Sequence, residues 1–158
     1  MLVALDHVQL AAPAGSEDVL RAFYLTALQM TEVPKPSGLA RHGGCWFEAD
    51  GGQVQIRVDV ETGFRPPRRA HPAVRVTELD ALAAHLERHG APVVWCVSRL
   101  GQRRFYTQDP VGNRLEFLET IEPAGLAELP APAAPVVPAA SIASAASAAS
   151  VASVASVS

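Results

Sequence analysis

The sequence predicts an α+β protein built from two β-α-β-β-β modules, and three observations carry that reading. A polar residue stands between apolar ones at four places: His7 in Leu5-Asp6-His7-Val8, Gln55 in Val54-Gln55-Ile56, His71 in Ala70-His71-Pro72-Ala73, and Glu116 in Leu115-Glu116-Phe117. The four fall into two pairs, His7 with Gln55 and His71 with Glu116, separated by nearly equal lengths of chain. Each half also runs through the same periodicities: an alternating stretch, a stretch with helical spacing, then three more strand-like stretches.

In module one, about residues 2–60, the first strand is expected from Leu2 to Leu10, ending before the turn-rich Pro13-Ala14-Gly15. Ser16 then precedes a helix whose Val19, Leu20, Phe23, Tyr24, Ala27 and Leu28 share one face. Three strands follow, at Leu39 to Arg41 beyond Pro34 and Pro36, at Cys45 to Glu48, and at Gln53 to Asp59. Gly43-Gly44 separates the first two, and Asp50-Gly51-Gly52 marks a hairpin between the last two.

Module two, about residues 70–120, repeats this order. A strand from Ala70 to Val76 leads to Thr77, which caps a helix with Leu79, Leu82, Ala83 and Leu86 turned inward. Asp80, three residues after Thr77, approximates a capping box, and Gly90 ends the helix. Strands are expected at Val93 to Val97, Arg103 to Thr107 and Arg114 to Glu119, joined by turns at Leu100-Gly101 and Asp109-Pro110-Val111-Gly112-Asn113.

A domain of residues 1–122 is long enough for a core of its own. Beyond it, residues 123–158 contain one charged side chain, Glu128, among Ala, Pro, Ser and Val. Such a composition cannot build a core, so this tail is expected to be disordered and to carry no chemistry. Net charge is −3, which gives no basic field for nucleic acid. The repeated Ser of the tail argues against a membrane span, and the N-terminus has no basic region of a secretory signal. Two cysteines, Cys45 and Cys96, each in an apolar run, read as reduced, buried thiols of a cytoplasmic protein.

Strand parity decides which side chains meet. His7 and Gln9 oppose Val8 and Leu10; Gln55 and Arg57 oppose Val54, Ile56 and Val58; His71 and Arg75 oppose Val74 and Val76; Glu116 opposes Leu115 and Phe117. The apolar faces are left for the helices. The polar faces are the wet side of two antiparallel hairpin sheets or, if these mixed sheets curve, the inside of a trough. Two histidines and one carboxylate are a frequent ligand set for a divalent ion, so His7, His71 and Glu116, with Gln55 at a fourth position, are candidate ligands.

The motifs Leu5-Asp6-His7-Val8, Ala22-Phe23-Tyr24, Ala70-His71-Pro72-Ala73 and Asp109-Pro110-Val111-Gly112-Asn113-Arg114-Leu115-Glu116-Phe117 make the chain resemble the vicinal-oxygen-chelate superfamily over about residues 2–120. That superfamily includes glyoxalases, extradiol dioxygenases, fosfomycin-modifying enzymes, methylmalonyl-CoA epimerase and bleomycin-binding proteins. The resemblance implies two modules curled around one divalent ion, with His7, His71 and Glu116 at its metal positions on the first, fifth and eighth strands. Gln55, matching the fourth-strand position, is similar to the epimerase and departs from the Glu of bacterial lactoylglutathione lyases. Gln9 stands where fosfomycin enzymes have Thr, and Tyr106 where they have Tyr.

These readings point to a metal-dependent dioxygenase, lyase or isomerase acting on a small oxygen-rich metabolite or xenobiotic by bidentate chelation. The ion would be Fe, Mn, Ni or Zn. Glu116 is its candidate proton-transfer group, since Gln55 cannot act as a base. Gln9, Arg57, Arg75 and Tyr106 are candidate substrate contacts. Glu48 is left outside the site by strand arithmetic, and Trp46, Phe47, Trp95 and Phe105 are assigned to cores or an interface. The alternatives are a drug-sequestering protein of the bleomycin-resistance type and a regulatory domain with a degenerate site. A homodimer is expected, because open sheets leave edges for a second copy to cover.

Overall fold

The polar and apolar alternation of each half folds into one four-stranded mixed sheet. The computed structural model describes residues 1–99 and 101–121; Leu100 and the tail from 122 onward lie outside the described residues. Module one consists of β1 (Val8–Ala12), α1 (Glu17–Arg21), β2 (Thr31–Val33), the single-turn α2 (Ser37–Ala40), β3 (Cys45–Ala49) and β4 (Val54–Val60). Module two consists of β5 (Ala73–Arg75), α3 (Leu79–Arg88), β6 (Val94–Arg99), β7 (Gln102–Gln108) and β8 (Arg114–Thr120). The strand orders are β1-β4-β3-β2 and β5-β8-β7-β6. In both sheets the first strand lies parallel to the last, and the other neighbours are antiparallel. The duplication expected from the sequence is therefore a duplication of topology.

Four local expectations are corrected. The first strand begins at Val8, and Leu2, Val3 and Leu5 before it are exposed, so apolar character alone did not place them in the sheet. The second strand is Thr31–Val33, not Leu39 to Arg41. Thr31 and Val33 pair with Glu48 and Trp46 of β3, whereas Leu39 sits in α2, 42% exposed. Pro36 opens that turn by presenting its carbonyl to the N–H groups of Leu39 and Ala40. Along α1 and the turn that continues it to Ala27, Leu20, Phe23, Tyr24 and Ala27 are buried at i, i+3, i+4 and i+7, and Val19, one position off that stripe, is exposed. Finally, α3 starts without a capping box: Glu78 flanks it with no side-chain cap, and Asp80 accepts from Arg103 Nη1 at 2.7 Å. A charge-assisted bond to guanidinium outcompetes a backbone N–H for that carboxylate. Leu79, Ala83 and Leu86 of α3 are buried as expected, and Gly90, with φ +76°, follows its end.

After Arg21 the first helix widens into a π turn over residues 22–27, where the Leu28 N–H donates to the Phe23 carbonyl five residues back. The widening places Tyr24 in the core, stacked on Phe47 at 4.6 Å, with its hydroxyl free to leave the helix. That hydroxyl donates to Asp109 Oδ2 at 3.2 Å, in the loop between β7 and β8. Asp109 also accepts from Val111 N, Asn113 N and Asn113 Nδ2, while Asn113 Nδ2 reaches Ala11 O of β1 at 2.9 Å. The two modules are thus tied by one buried polar network, and a continuous core including Phe47, Phe105 and Phe117 fills both. Burial pushes the Asp109 carboxyl up from its ordinary value, against the pull of its donors. Each large apolar side chain removed from water contributes about 1.5–3 kcal/mol.

Gly44 fixes the start of β3. Its φ is +79°, and a Cβ there would lie 2.1 Å from the Val58 carbonyl oxygen. The Gly44 N–H donates to Glu17 Oε1 at 3.0 Å, joining β3 to the beginning of α1. That bond holds the Glu17 carboxyl below its ordinary value. Cys45 is buried and Cys96 half-buried, and both are free thiols.

Candidate functional site

Parallel pairing of first and last strands brings the expected donor positions together within each module. In module two, His71 precedes β5, and Ala73 is registered against Glu116 of β8. His71 Nε2 lies 2.8 Å from Glu116 Oε2, and the Glu116 side chain is only 8% exposed. His71 Nδ1 lies 2.6 Å from the Arg69 carbonyl, which can only accept, so Nδ1 carries a hydrogen. The Nε2–Oε2 contact then needs a second proton or a cation between two acceptors. Arg104 Nη1 donates to the other oxygen, Oε1, at 3.2 Å. Tyr106, registered against Glu116, meets the His71 ring edge-on at 5.2 Å, and the Arg114 guanidinium lies 3.6 Å from the Tyr106 ring centre.

In module one the same positions are arranged around an arginine. His7 Nδ1 lies 2.6 Å from Asp6 Oδ1, and this bond holds the Asp6 carboxyl below its ordinary value. With Nδ1 donating, His7 Nε2 presents a lone pair to the polar face, where Arg57 Nη1 approaches to 3.4 Å. Arg57 Nη2 is 3.5 Å from Gln55 Oε1, and the Gln55 amide donates to Gly52 O at 3.2 Å. The Arg57 guanidinium rests on the Trp46 ring, 4.2 Å from its centre.

Both histidines therefore have Nδ1 anchored on an oxygen, with Nε2 facing Arg57 at His7 and Glu116 at His71; an Nδ1-anchored ring is the orientation in which an imidazole binds a metal. Among the described residues, however, no three His, Cys, Asp or Glu side chains gather into one group. His7, Gln55 and His71, but not Glu116, line two clefts beside β1 and β5. His7, Gln55 and Arg75 line one of about 350 Å³. Gln9 and His71 line the other, of about 500 Å³, with Arg65 at its edge. Gln9 itself is exposed and, among the described residues, donates to the neighbouring Leu10 carbonyl, and Arg75 is exposed on β5.

Three residues of these polar faces were missed or set aside in the sequence. Glu48 is registered directly opposite Gln55 and so shares its face. Counting residues within a single strand could not show this, because register across β3 and β4 depends on the turn at Asp50-Gly51-Gly52. Arg104 has the parity of Tyr106 and could have been found by that signal. Trp46, assigned to a core or an interface, lies on the polar face beneath Arg57 and not in the core, while Phe47 and Phe105 are fully buried. Trp95 is 44% exposed. His85 and His89 stack on one another at 4.4 Å on α3, away from the donor positions.

Two mixed sheets of identical topology, with paired donors beside their parallel strands, define a two-module protein of the vicinal-oxygen-chelate superfamily. The chain belongs to the glyoxalase-like domain family, whose model matches residues 8–118. A protein from Bacillus anthracis assigned to the glyoxalase family is 43% identical, with a TM-score of 0.72; the match covers 76% of this chain and 97% of that one. TnmS3, an antibiotic binding protein from a Streptomyces species, is 20% identical with a TM-score of 0.59, over 75% of this chain and 99% of its own. A variant of the fosfomycin resistance protein FosX from Listeria monocytogenes, complexed with Mn(II) and a dihydroxypropylphosphonic acid, is 16% identical with a TM-score of 0.62, over 76% and 94%. These last two share the fold. No curated protein matches the chain.

Proposed function

We propose that this protein is a divalent-metal-dependent enzyme that holds a small oxygen-rich molecule through two of its oxygens. His71 and Glu116 would hold the ion, joined by His7 and with Gln55 beside it. The observation that carries this reading is the 2.8 Å approach of two acceptor atoms, His71 Nε2 and Glu116 Oε2, with Nδ1 already committed to Arg69 O. A cation in place of a shared proton satisfies both. When bound, a divalent ion (Fe, Mn, Ni or Zn) with two neutral imidazoles and one carboxylate keeps a net positive charge and polarises a coordinated oxygen.

The chain's own groups do the rest. Asp6 and Arg69 fix the tautomers of the two histidines. Glu116 is the carboxylate that moves a proton, and Glu48, on the face of Gln55, supplies a second one. Tyr106, Arg57, Gln9 and Arg75 line the approach and orient the substrate. Elemental analysis of the full chain, purified without affinity tag or chelator, should find about one divalent ion per polypeptide. Less than a tenth of that would favour the second reading.

That second reading is a metal-free protein that sequesters a drug-like molecule; TnmS3, of the same fold, is an antibiotic binding protein. Its support is Arg104 at 3.2 Å from Glu116, a cation already on the carboxylate. Like charge beside an ion weakens its binding. The proposal therefore requires Arg104 to give up that contact or share the carboxylate. An assembly in solution of two copies belongs to both readings.

A further inference from the structure

We propose that Arg57, laid on the Trp46 ring beside His7, is a receptor for an oxyanion, the charged end of the molecule this protein binds. The inference rests on the small-molecule reading above, but not on the ion.

Among the described residues, two other arginines are held at close range by carboxylates. Arg21 places Nε at 2.9 and 3.1 Å from the two oxygens of Glu32, and Arg103 Nη1 is 2.7 Å from Asp80. Those guanidiniums are neutralised at close range. Arg57 is not: its contacts with His7, Asp6 and Gln55 are 3.4, 3.5 and 3.5 Å, at the limit of hydrogen bonding. The nearest carboxylate, Asp6, is engaged by His7 at 2.6 Å. Arg57 Nε and the Trp46 indole N–H are buried, and neither has a hydrogen-bond partner among the described residues. A buried donor without an acceptor costs about 1–3 kcal/mol, so two of them together on a polar face need a reason.

An oxyanion supplies it. Nε and Nη2 form one edge of the planar guanidinium, and two oxygens of a carboxylate, phosphate or phosphonate match that edge. Stacking on Trp46 fixes the plane of the cation without a directional bond. Nε is shielded in this arrangement, so the proposal requires the side chain to shift about its torsions when the oxyanion docks. Lys35 lies 5.8 Å from the same ring and adds to the positive field, although its own charge is tied to Asp59 at 2.6 Å. The ordering Asp6–His7–Arg57–Gln55 puts this receptor against the His7 nitrogen that faces the site. The substrate class is then an oxygen-rich molecule carrying an acidic group, not a neutral one.

The test is titration of methylphosphonate and, separately, acetate into the ¹⁵N-labelled full chain with EDTA present. The readouts are the two indole N–H signals, told apart with Trp95→Phe. The Trp46 signal should move saturably while the Trp95 signal stays, and the better anion of the two identifies the group. Arg57→Gln, which keeps the stem on the ring, and Arg57→Ala should each weaken binding at least tenfold, Arg57→Lys less, and Arg103→Ala not at all. Retained amide spectra would show that the variants fold. No saturable response to either anion, an unchanged affinity in Arg57→Gln, or an equal loss in Arg103→Ala would overturn the proposal. Because EDTA is present throughout, a protein that binds no metal can still meet this test.

Discussion

His71 shows how much chemistry one side chain can carry when both ring nitrogens are committed. The Arg69 carbonyl accepts at Nδ1 and Glu116 stands at Nε2, so a proton or a cation must lie between Nε2 and Oε2. Arg104 would compete with the proposed ion at that carboxylate. Arg104→Met should raise the affinity for Mn²⁺ severalfold, measured by calorimetric titration, because it removes a like charge close to the ion. A fall in affinity would mean instead that Arg104 holds Glu116 in place. Glu17 gives a second residue-scale expectation. Its folded carboxyl is held below its ordinary value by the Gly44 N–H, so its contribution is present above the unfolded value near 4.5 and is lost as pH falls through the folded one. Urea midpoints measured down through the acid range should drop less steeply in Glu17→Gln than in the parent chain. Parity was the signal that located His7, Gln55, His71 and Glu116 on the polar faces. It stayed silent on Glu48 and Trp46, because a single strand says which face a residue takes but not what lies across from it.

At the scale of elements, the helical stripe of α1, the inward face of α3 and six of the eight strands were legible from spacing. The second strand was not: Thr31-Glu32-Val33 is three residues long, too short to show a period, and only pairing with β3 makes it a strand. Capping was misjudged at Thr77 for an electrostatic reason, since Asp80 has an arginine from another element within reach. Two turns hold the elements in place and can be tested. Gly44→Ala should cost at least about 2 kcal/mol in urea unfolding, since a strained left-handed residue alone costs 1–3 kcal/mol and the Val58 carbonyl blocks the new methyl. Asp109→Ala should cost about 3 kcal/mol, as it strands Tyr24 and Asn113 inside the seam between modules. A loss under 1 kcal/mol at Asp109 would mean that the apolar core alone joins the two halves.

At the scale of the whole molecule, duplication is the organising fact. One β-α-β-β-β unit used twice places a histidine beside its parallel partner strand in both halves, and it leaves β2 and β6 as outer edges. Open edges of this kind invite pairing with a second copy, so light scattering should report a homodimer; a monomer of 16.7 kDa at micromolar concentration would contradict that. The residues after Glu122 are proposed to be dispensable on composition alone, and a chain ending at Pro123 should melt within a few degrees of the full one. A larger drop would show that they contribute buried contacts. Duplication was readable in the sequence because the four polar interruptions kept their spacing. How the donor positions of the two halves lie relative to one another was not, because it depends on the seam between β1 and β5, which no local period encodes.

The most direct test of the metal site is calorimetric titration of Mn²⁺ into the chelator-stripped full chain and four variants, His7→Ala, Gln55→Ala, His71→Ala and Glu116→Gln. The account predicts one site per chain. Glu116→Gln removes the only anionic donor and should weaken it at least as much as the 10–100-fold loss typical of groups outside the ligand set. His71→Ala and His7→Ala should act alike, and Gln55→Ala should change little. No binding by the parent chain, or binding abolished by Gln55→Ala and untouched by Glu116→Gln, would contradict the assignment.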